Sequence, residues 1–243
     1  MKTVHFVRHG ETEQNKDGIW QGHTNTQLSK TGKAQAKLLS KRINLKNQTV
    51  FTSDLARAKE TAYFLSDSPT VRENLREINV GDFTGKSVKE TYSDNLDIFD
   101  ALQDDTYVFP NGESVQEFKL RVQQEVDHIF DSIDEDSECV VVTHGFFIGT
   151  AIGLVLGFNQ YPYPIGNIQN TSISTVIKRD SVMQVNKFND AIHLPNSYID
   201  YPAKDKSRIL TFIRHGQTDS NTQGVWQGHV DNPLNTYGVE TAK

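Results

Sequence analysis

The chain has a single cysteine, Cys139, in 243 residues, so no disulfide can form within it. Its place just before Val140-Val141-Val142 predicts a buried structural thiol rather than a redox centre. No apolar run approaches the length needed to cross a bilayer, so no membrane contact is expected. A basic surplus is missing as well. The formal net charge of -6 argues against a nucleic-acid partner, because a binder of phosphate backbones presents a basic face. Any anion site must therefore be local. Met1-Lys2-Thr3 leads at once into an apolar stretch, without the charged start, apolar core and small-residue cleavage site of a secretory leader; the expected compartment is the cytoplasm. There is no His-Glu-x-x-His pattern, no cysteine pair and no carboxylate cluster beside a histidine pair, so neither a metal nor a cofactor is expected.

What is present is an alternation of strand-like and helix-like patterns over residues 1–189. It predicts an α/β domain built as a three-layer sandwich, with a largely parallel central sheet flanked by helices. Candidate strands are Val4 to Val7, Thr49 to Thr52, Val140 to Thr143, Ile173 to Lys178 and Val182 to Phe188. Leu55, Ala58, Ala62 and Leu65 recur at helical spacing behind Asp54 as a potential N-cap. Val115, Phe118, Val122, Val126, Ile129 and Ile133 mark a longer helix, with Ser114 and Glu117 as its capping box. Between about Gly81 and Gly112 the pattern is irregular and carries Phe83, Tyr92, Phe99, Tyr107 and Phe109; these aromatics either pack on the domain or cover a site.

Residues 190–207, with Pro195 and Pro202 and little apolar periodicity, are expected to form a linker. Residues 208–243 then repeat the beginning of the chain. Thr3 to Lys37 aligns with Ile209 to Lys243 without a gap at 15 identities in 35 positions, including Arg214-His215-Gly216 for Arg8-His9-Gly10 and Trp226-Gln227-Gly228-His229 for Trp20-Gln21-Gly22-His23. This copy stops inside its first helix, so a truncated repeat without a complete active site is expected. Its apolar residues Phe212, Ile213, Val225 and Trp226 favour association, which makes a homo-oligomer one expectation.

Arg8-His9-Gly10 ends the apolar stretch Val4-His5-Phe6-Val7. A histidine beside an arginine where a buried strand opens into a glycine turn suits attack on phosphorus, with the guanidinium neutralising phosphoryl oxygens. A second histidine, His144, follows the run Val140 to Thr143, and Arg57 opens a helix after Thr49 to Thr52. All four side chains can converge at the carboxyl edge of a parallel sheet, the usual ligand crevice.

The ordered set Arg8-His9-Gly10-Glu11-Thr12, Asn15, Trp20-Gln21-Gly22, Leu28-Ser29-Lys30-Thr31-Gly32, Thr52-Ser53-Asp54-Leu55-Ala56-Arg57-Ala58, Leu75-Arg76-Glu77-Ile78-Asn79-Val80-Gly81 and Val142-Thr143-His144-Gly145 resembles the histidine phosphatase superfamily, also called phosphoglycerate mutase-like. The compact first domain is similar to its broad phosphatase and alpha-ribazole phosphatase branch. The resemblance implies a phosphomonoesterase for a small phosphorylated metabolite. In it His9 takes the phosphoryl group, Glu77 is general acid and then base, and Arg8, Arg57 and His144 stabilise the transferring group. It also implies Asn15, Gln21 and Gly22 as substrate ligands, although Asn15 equally suits a local turn. Two other outcomes stay open: mutase-type phosphoryl transfer, which requires water to be kept from the intermediate, and a noncatalytic module that binds a phosphorylated ligand.

Overall fold

The computed structural model describes residues 1–43, 48–94, 104–158, 167–195 and 214–242. The chain divides into two compact units, Met1–Ile199 and Asp200–Lys243. Six strands form one sheet in the first: β1 (Lys2–Arg8), β2 (Thr49–Thr52), β3 (Thr70–Val71), β4 (Glu138–Thr143), β5 (Ile173–Arg179) and β6 (Val182–Asp190). Their order is β3-β2-β4-β1-β5-β6. Pairings β1 with β4, β2 with β4 and β2 with β3 are parallel. The β5–β6 hairpin adds to β1 antiparallel, because β5 enters from the crevice end of β1 at Thr171, whose N–H donates to the Arg8 carbonyl. Edge strand β3 has only two residues, too short for an alternating pattern to announce it.

Alternation along the central strands assigns the two faces. Val4, Phe6, Cys139 and Val141 point into one apolar cluster, beneath α5 (Val115–Ser132) and α6 (Gly145–Val155). Val7, Val140 and Val142 point the other way, toward α2 (Lys30–Arg42) and α3 (Ala56–Tyr63). The result is helix, sheet, helix in three layers, built on strands apolar on both faces. Short helices α1 (Glu13–Lys16) and α4 (Val88–Asp94) follow β1 and the Glu77 segment in the chain. Burial pushes the Cys139 thiol up to about 12, so it stays protonated and inert.

Local signals explain several boundaries. Ser114 and Glu117 make both bonds of the capping box that starts α5, whose Val115, Phe118, Val122 and Ile129 are fully buried. Asp54 does not cap α3. The N-cap is Leu55, without a side-chain bond; the Asp54 carboxylate instead takes both arms of Arg76, and Asn25 accepts from the Ala56 N–H. Of the irregular aromatics, Phe109 is completely buried, with Phe83 and Tyr107 edge-on to its ring and Trp20 beyond. The side chains of Tyr92 and Phe99 lie outside the described residues. Residues expected as the start of a linker continue the first unit: Asp190 ends β6, Ala191 is buried, and His193 bonds Arg42 and Thr171.

In the second unit, α7 (Asp219–Thr222) is capped by Thr218 and Asn221, and α8 (Thr236–Thr241) by Asn235. The strand expected over Ile209 to Ile213 lies outside the described residues.

Two glycines let the segment after β1 lie directly on α2. A Cβ at Gly32 would stand 2.1 Å from the Glu11 carbonyl oxygen, and one at Gly10 would stand 2.7 Å from that of Gly32. Neither carbonyl can retreat without moving the residues beside His9. Gly32→Ala is expected to destabilise the first unit by about 1–3 kcal/mol or more, seen as a lower urea midpoint with an unchanged slope in equilibrium unfolding.

Candidate active site

The carboxyl ends of β2, β4 and β1 meet at one edge of the sheet. His9 leaves β1 with its N–H donating to the Thr143 carbonyl, and Ser53 leaves β2 with its N–H donating to the Val142 carbonyl. Arg57 is the second residue of α3 and is 1% exposed despite its charge. His144 is the N-cap residue of α6, completely buried. Its ring lies 5.2 Å from that of His9, centroid to centroid, tilted by 58°. The four residues expected to converge from three strand ends do so.

His9 Nδ1 lies 2.7 Å from the carbonyl oxygen of Gly10. A carbonyl can only accept, so Nδ1 carries the proton and the lone pair is left on Nε2. Burial first, and the Arg57 and Arg8 charges next, push the His9 pKa well below that of a free imidazole. Burial, Arg57, His9 and Arg8 do the same to His144. Both rings are neutral in this setting. Asn170 Nδ2 donates to the His9 carbonyl and the Gly10 N–H donates to Thr61 Oγ1, so the loop bearing the ring is held at both ends.

Arg57 donates from Nη1 to the Thr24 carbonyl and from Nη2 to the Gly22 carbonyl, both at 2.8 Å. Arg8 donates to the carbonyl of Ile168. These bonds use one edge of each guanidinium. Among the described residues, Arg8 Nε, Arg57 Nε and both nitrogens of His144 are buried with no partner. A neutral His144 has one donor nitrogen and one acceptor nitrogen, so three buried N–H groups lack acceptors; such donors are costly to leave unpaired, and together they define a site for an oxyanion. Burial lowers the Arg57 pKa to about 10, a value that still leaves it charged at neutral pH.

Glu77 completes the group. One carboxylate oxygen accepts from the Ile78 N–H and the other from the Phe146 N–H, in the first turn of α6. Burial pushes its pKa up, against the pull of Phe146, Arg57, Ile78 and Arg8. A carboxyl that keeps its proton above the ordinary carboxylate range can deliver it.

The expected ligands differ in how free they are. Asn15 Oδ1 is occupied by the Thr12 N–H and hydroxyl, forming the capping box of α1, and by Asn170 Nδ2. Gln21 is buried with its side-chain oxygen accepting from Thr12 and Thr26 hydroxyls, which fits a brace for the loop better than a ligand. Gly22 turns at φ 45°, where its carbonyl meets Arg57. Among the other histidines, His5 bridges Thr175 and Glu138, and His128 is exposed on α5. His23 donates to the Glu77 carbonyl. Sequence reading did not single out Thr61, Asn170 or Arg121, whose guanidinium reaches the same carbonyl. Their partners lie far along the chain, and no local pattern marks them.

A model of the histidine phosphatase superfamily (branch 1) matches residues 4–191 and again residues 210–243. A protein of Erwinia tasmaniensis named a probable phosphoglycerate mutase is 30% identical over 212 residues, 82% of this chain and 98% of its own length. A probable phosphatase of Schizosaccharomyces pombe is also 30% identical, over 205 residues, covering 79% of this chain and 94% of that protein. Among solved structures, a mutant phosphoserine phosphatase of Entamoeba histolytica in complex with phosphoserine superposes with a TM-score of 0.73 at 27% identity. It covers 80% of this chain and 100% of its own.

The unpartnered nitrogens lead to a measurement. Inorganic phosphate is expected to raise the melting temperature of the wild type, since anything that binds only the folded state stabilises it. Arg57→Met should abolish that increment. It should also lower stability by about 1–3 kcal/mol, because the Gly22 and Thr24 carbonyls lose their donors.

Proposed function

The chain belongs to branch 1 of the histidine phosphatase superfamily and is a phosphatase of that group, and we propose that it hydrolyses small phosphomonoesters through a phosphohistidine on His9. The observation that carries this reading is a neutral imidazole with Nδ1 tethered to Gly10 and Nε2 free, beside buried guanidinium and imidazole nitrogens that lack acceptors. A phosphoryl group spreads negative charge over its peripheral oxygens as it transfers, and those nitrogens would receive it.

The Nε2 lone pair attacks phosphorus and the bond to the substrate oxygen breaks. The Glu77 carboxyl gives its proton to that departing oxygen, so no free alkoxide has to form. Water then attacks the phosphohistidine, the Glu77 carboxylate takes its proton, and the phosphorus–nitrogen bond breaks with its electrons returning to Nε2. One carboxyl serves both halves. Its raised pKa fits the first role, and bound phosphate, being anionic, would favour the protonated form further. Asn15, tied to Thr12 and Asn170 through its oxygen, has its amide nitrogen as the group to offer a phosphate. The substrate is a small phosphorylated metabolite. Its alcohol portion is set by residues beyond the phosphate cradle.

Mutase chemistry is the second reading, favoured by the name of the Erwinia tasmaniensis relative. Release of inorganic phosphate faster than interconversion of phosphoglycerate isomers supports hydrolysis; the reverse order selects the mutase. His9→Ala is expected to lower phosphate release by roughly 10³-fold or more, whereas His215→Ala leaves it unchanged. A chelator should leave the rate intact. Equal rates in wild type and His9→Ala would remove His9 as the nucleophile.

The pH profile follows from the two pKa directions. His9 must be neutral, and its depressed pKa moves the rising limb below the free-imidazole value of 6.5. Glu77 must be protonated to donate, and its raised pKa places the falling limb above the ordinary 4.5. Measured as kcat/KM on an alkyl phosphate, the curve is a bell. Its falling limb should vanish in Glu77→Gln, along with most of the rate.

A further inference from the structure

The mechanism above leaves one heavily bonded charged pair unused. Arg121, on the second turn of α5, is 19% exposed and spends its guanidinium on five acceptors. Two are the carboxylate oxygens of Glu113, at 2.9 Å and 2.8 Å, in the two-pronged geometry. The other three are backbone carbonyls of Asn74 at 2.8 Å, Arg76 at 3.0 Å and Glu77 at 3.2 Å. Glu113 also reaches past Arg121: one of its oxygens accepts from the Asn79 N–H, and its own N–H donates to the Asn79 carbonyl. The segment 74–79 is therefore gripped on both sides of Glu77 by a single ion pair.

Other tethers meet it on its side chains: the Phe146 N–H on the Glu77 carboxylate and the Asp54 carboxylate on Arg76. The segment runs between a short 3-10 turn at Glu73–Leu75 and another at Gly81–Phe83, so its carbonyls have no regular ladder to satisfy them. His23 Nε2 adds a further bond, at 2.8 Å to the Glu77 carbonyl, and the Thr143 hydroxyl donates to the Leu75 carbonyl next to His144. A surface ion pair would contribute little by itself. This one is mostly covered on both partners, at 19% and 14% exposure, and its work is to fix a backbone.

We propose that Arg121, held by Glu113, is a positioning residue for the general acid: it fixes the peptide of Glu77 so that the carboxyl stands where the leaving oxygen departs. This deepens the phosphatase reading and rests on it. Proton delivery is sensitive to placement, and an error of about 1 Å in a reacting group can cost about 100-fold in rate. Loss of the fork would leave His9 and the two arginines of the cradle in place while the acid drifts.

That separation gives the test a readout which general damage to the fold would not produce. An alkyl leaving group needs its proton, whereas dinitrophenolate departs without one. The parameter is kcat/KM, which covers the steps up to departure of the leaving group and excludes hydrolysis of the phosphohistidine. In the full chain, Arg121→Met should lower kcat/KM for glycerol phosphate by about 100-fold while lowering that for dinitrophenyl phosphate by no more than about 3-fold. Arg121→Lys, a point charge that cannot fork, should fall between. Glu113→Gln is expected to shift the ratio the same way, and it carries the test if Arg121→Met does not fold. Glu77→Gln is the reference, with discrimination of about 10²–10⁴ expected for loss of the acid itself. If Glu77→Gln shows no discrimination, the general-acid assignment falls and takes this role with it. If Glu77→Gln discriminates but the Arg121 and Glu113 variants lower both substrates equally, the pair is structural only and the proposal is overturned.

Discussion

Two guanidinium groups, the half-buried Arg8 and the buried Arg57, stand close enough that the Arg8 charge acts on Arg57 and both act on both imidazoles. Left alone they would repel, and desolvation would add to the cost. The structure offsets this with dipoles: carbonyls of Gly22, Thr24 and Ile168 take one edge of each cation, and the single carboxylate Glu77 feels both. The nitrogens of this cluster that those carbonyls leave unused are buried without a partner among the described residues. Burial first, and the same charges next, keep His9 and His144 unprotonated. A nucleophile and its charge-stabilising partners therefore come from one electrostatic arrangement rather than from separate devices.

That arrangement also accounts for the carboxyl. Half-buried beside two cations, Glu77 would ordinarily ionise more readily; desolvation of the carboxyl outweighs them and raises its pKa. The balance depends on keeping water away from the carboxyl and on the exact position of its backbone. Hence the loops deserve as much weight as the strands. His9 is anchored through its carbonyl by Asn170 and through the next N–H by Thr61, and Glu77 is anchored through its carbonyl by His23 and Arg121. The sheet delivers the residues to one edge, and side chains from helices and loops distant in the chain trim their final placement.

How much of this could be read beforehand follows the range of each interaction. The apolar strands and the order of Arg8, His9, Arg57, Glu77 and His144 were legible because each lies at a strand end or in a short motif. The Ser114–Glu117 capping box was legible because its bonds span three residues. Asp54 was misjudged as a cap because its actual partner, Arg76, stands 22 residues away. Arg121, which no motif marks, meets the Glu77 carbonyl across 44 residues. His193, expected in a linker, bonds Thr171 beside the Arg8 carbonyl. Pairings closed by tertiary folding leave no periodic trace in the sequence around either partner.

The second unit separates the two ranges within one chain. Its local bonds repeat those of the first: His215 Nδ1 lies 2.7 Å from the Gly216 carbonyl, and Thr218 and Asn221 form the capping box that Thr12 and Asn15 form earlier. A Cβ at Gly238 would stand 2.1 Å from the Gln217 carbonyl, just as at Gly32 against Glu11. Burial does not repeat. Trp20 is 7% exposed beneath Phe109 and Phe146, whereas Trp226 is 98% exposed. The short-range sequence is thus sufficient to set the tautomer of the histidine and the turn that carries it. Desolvation, the second arginine, the carboxyl and the second imidazole come from residues 48–158, which have no counterpart among residues 214–242. The tautomer alone does not make a nucleophile site, and what makes His9 a candidate nucleophile is the rest of the domain folded over it.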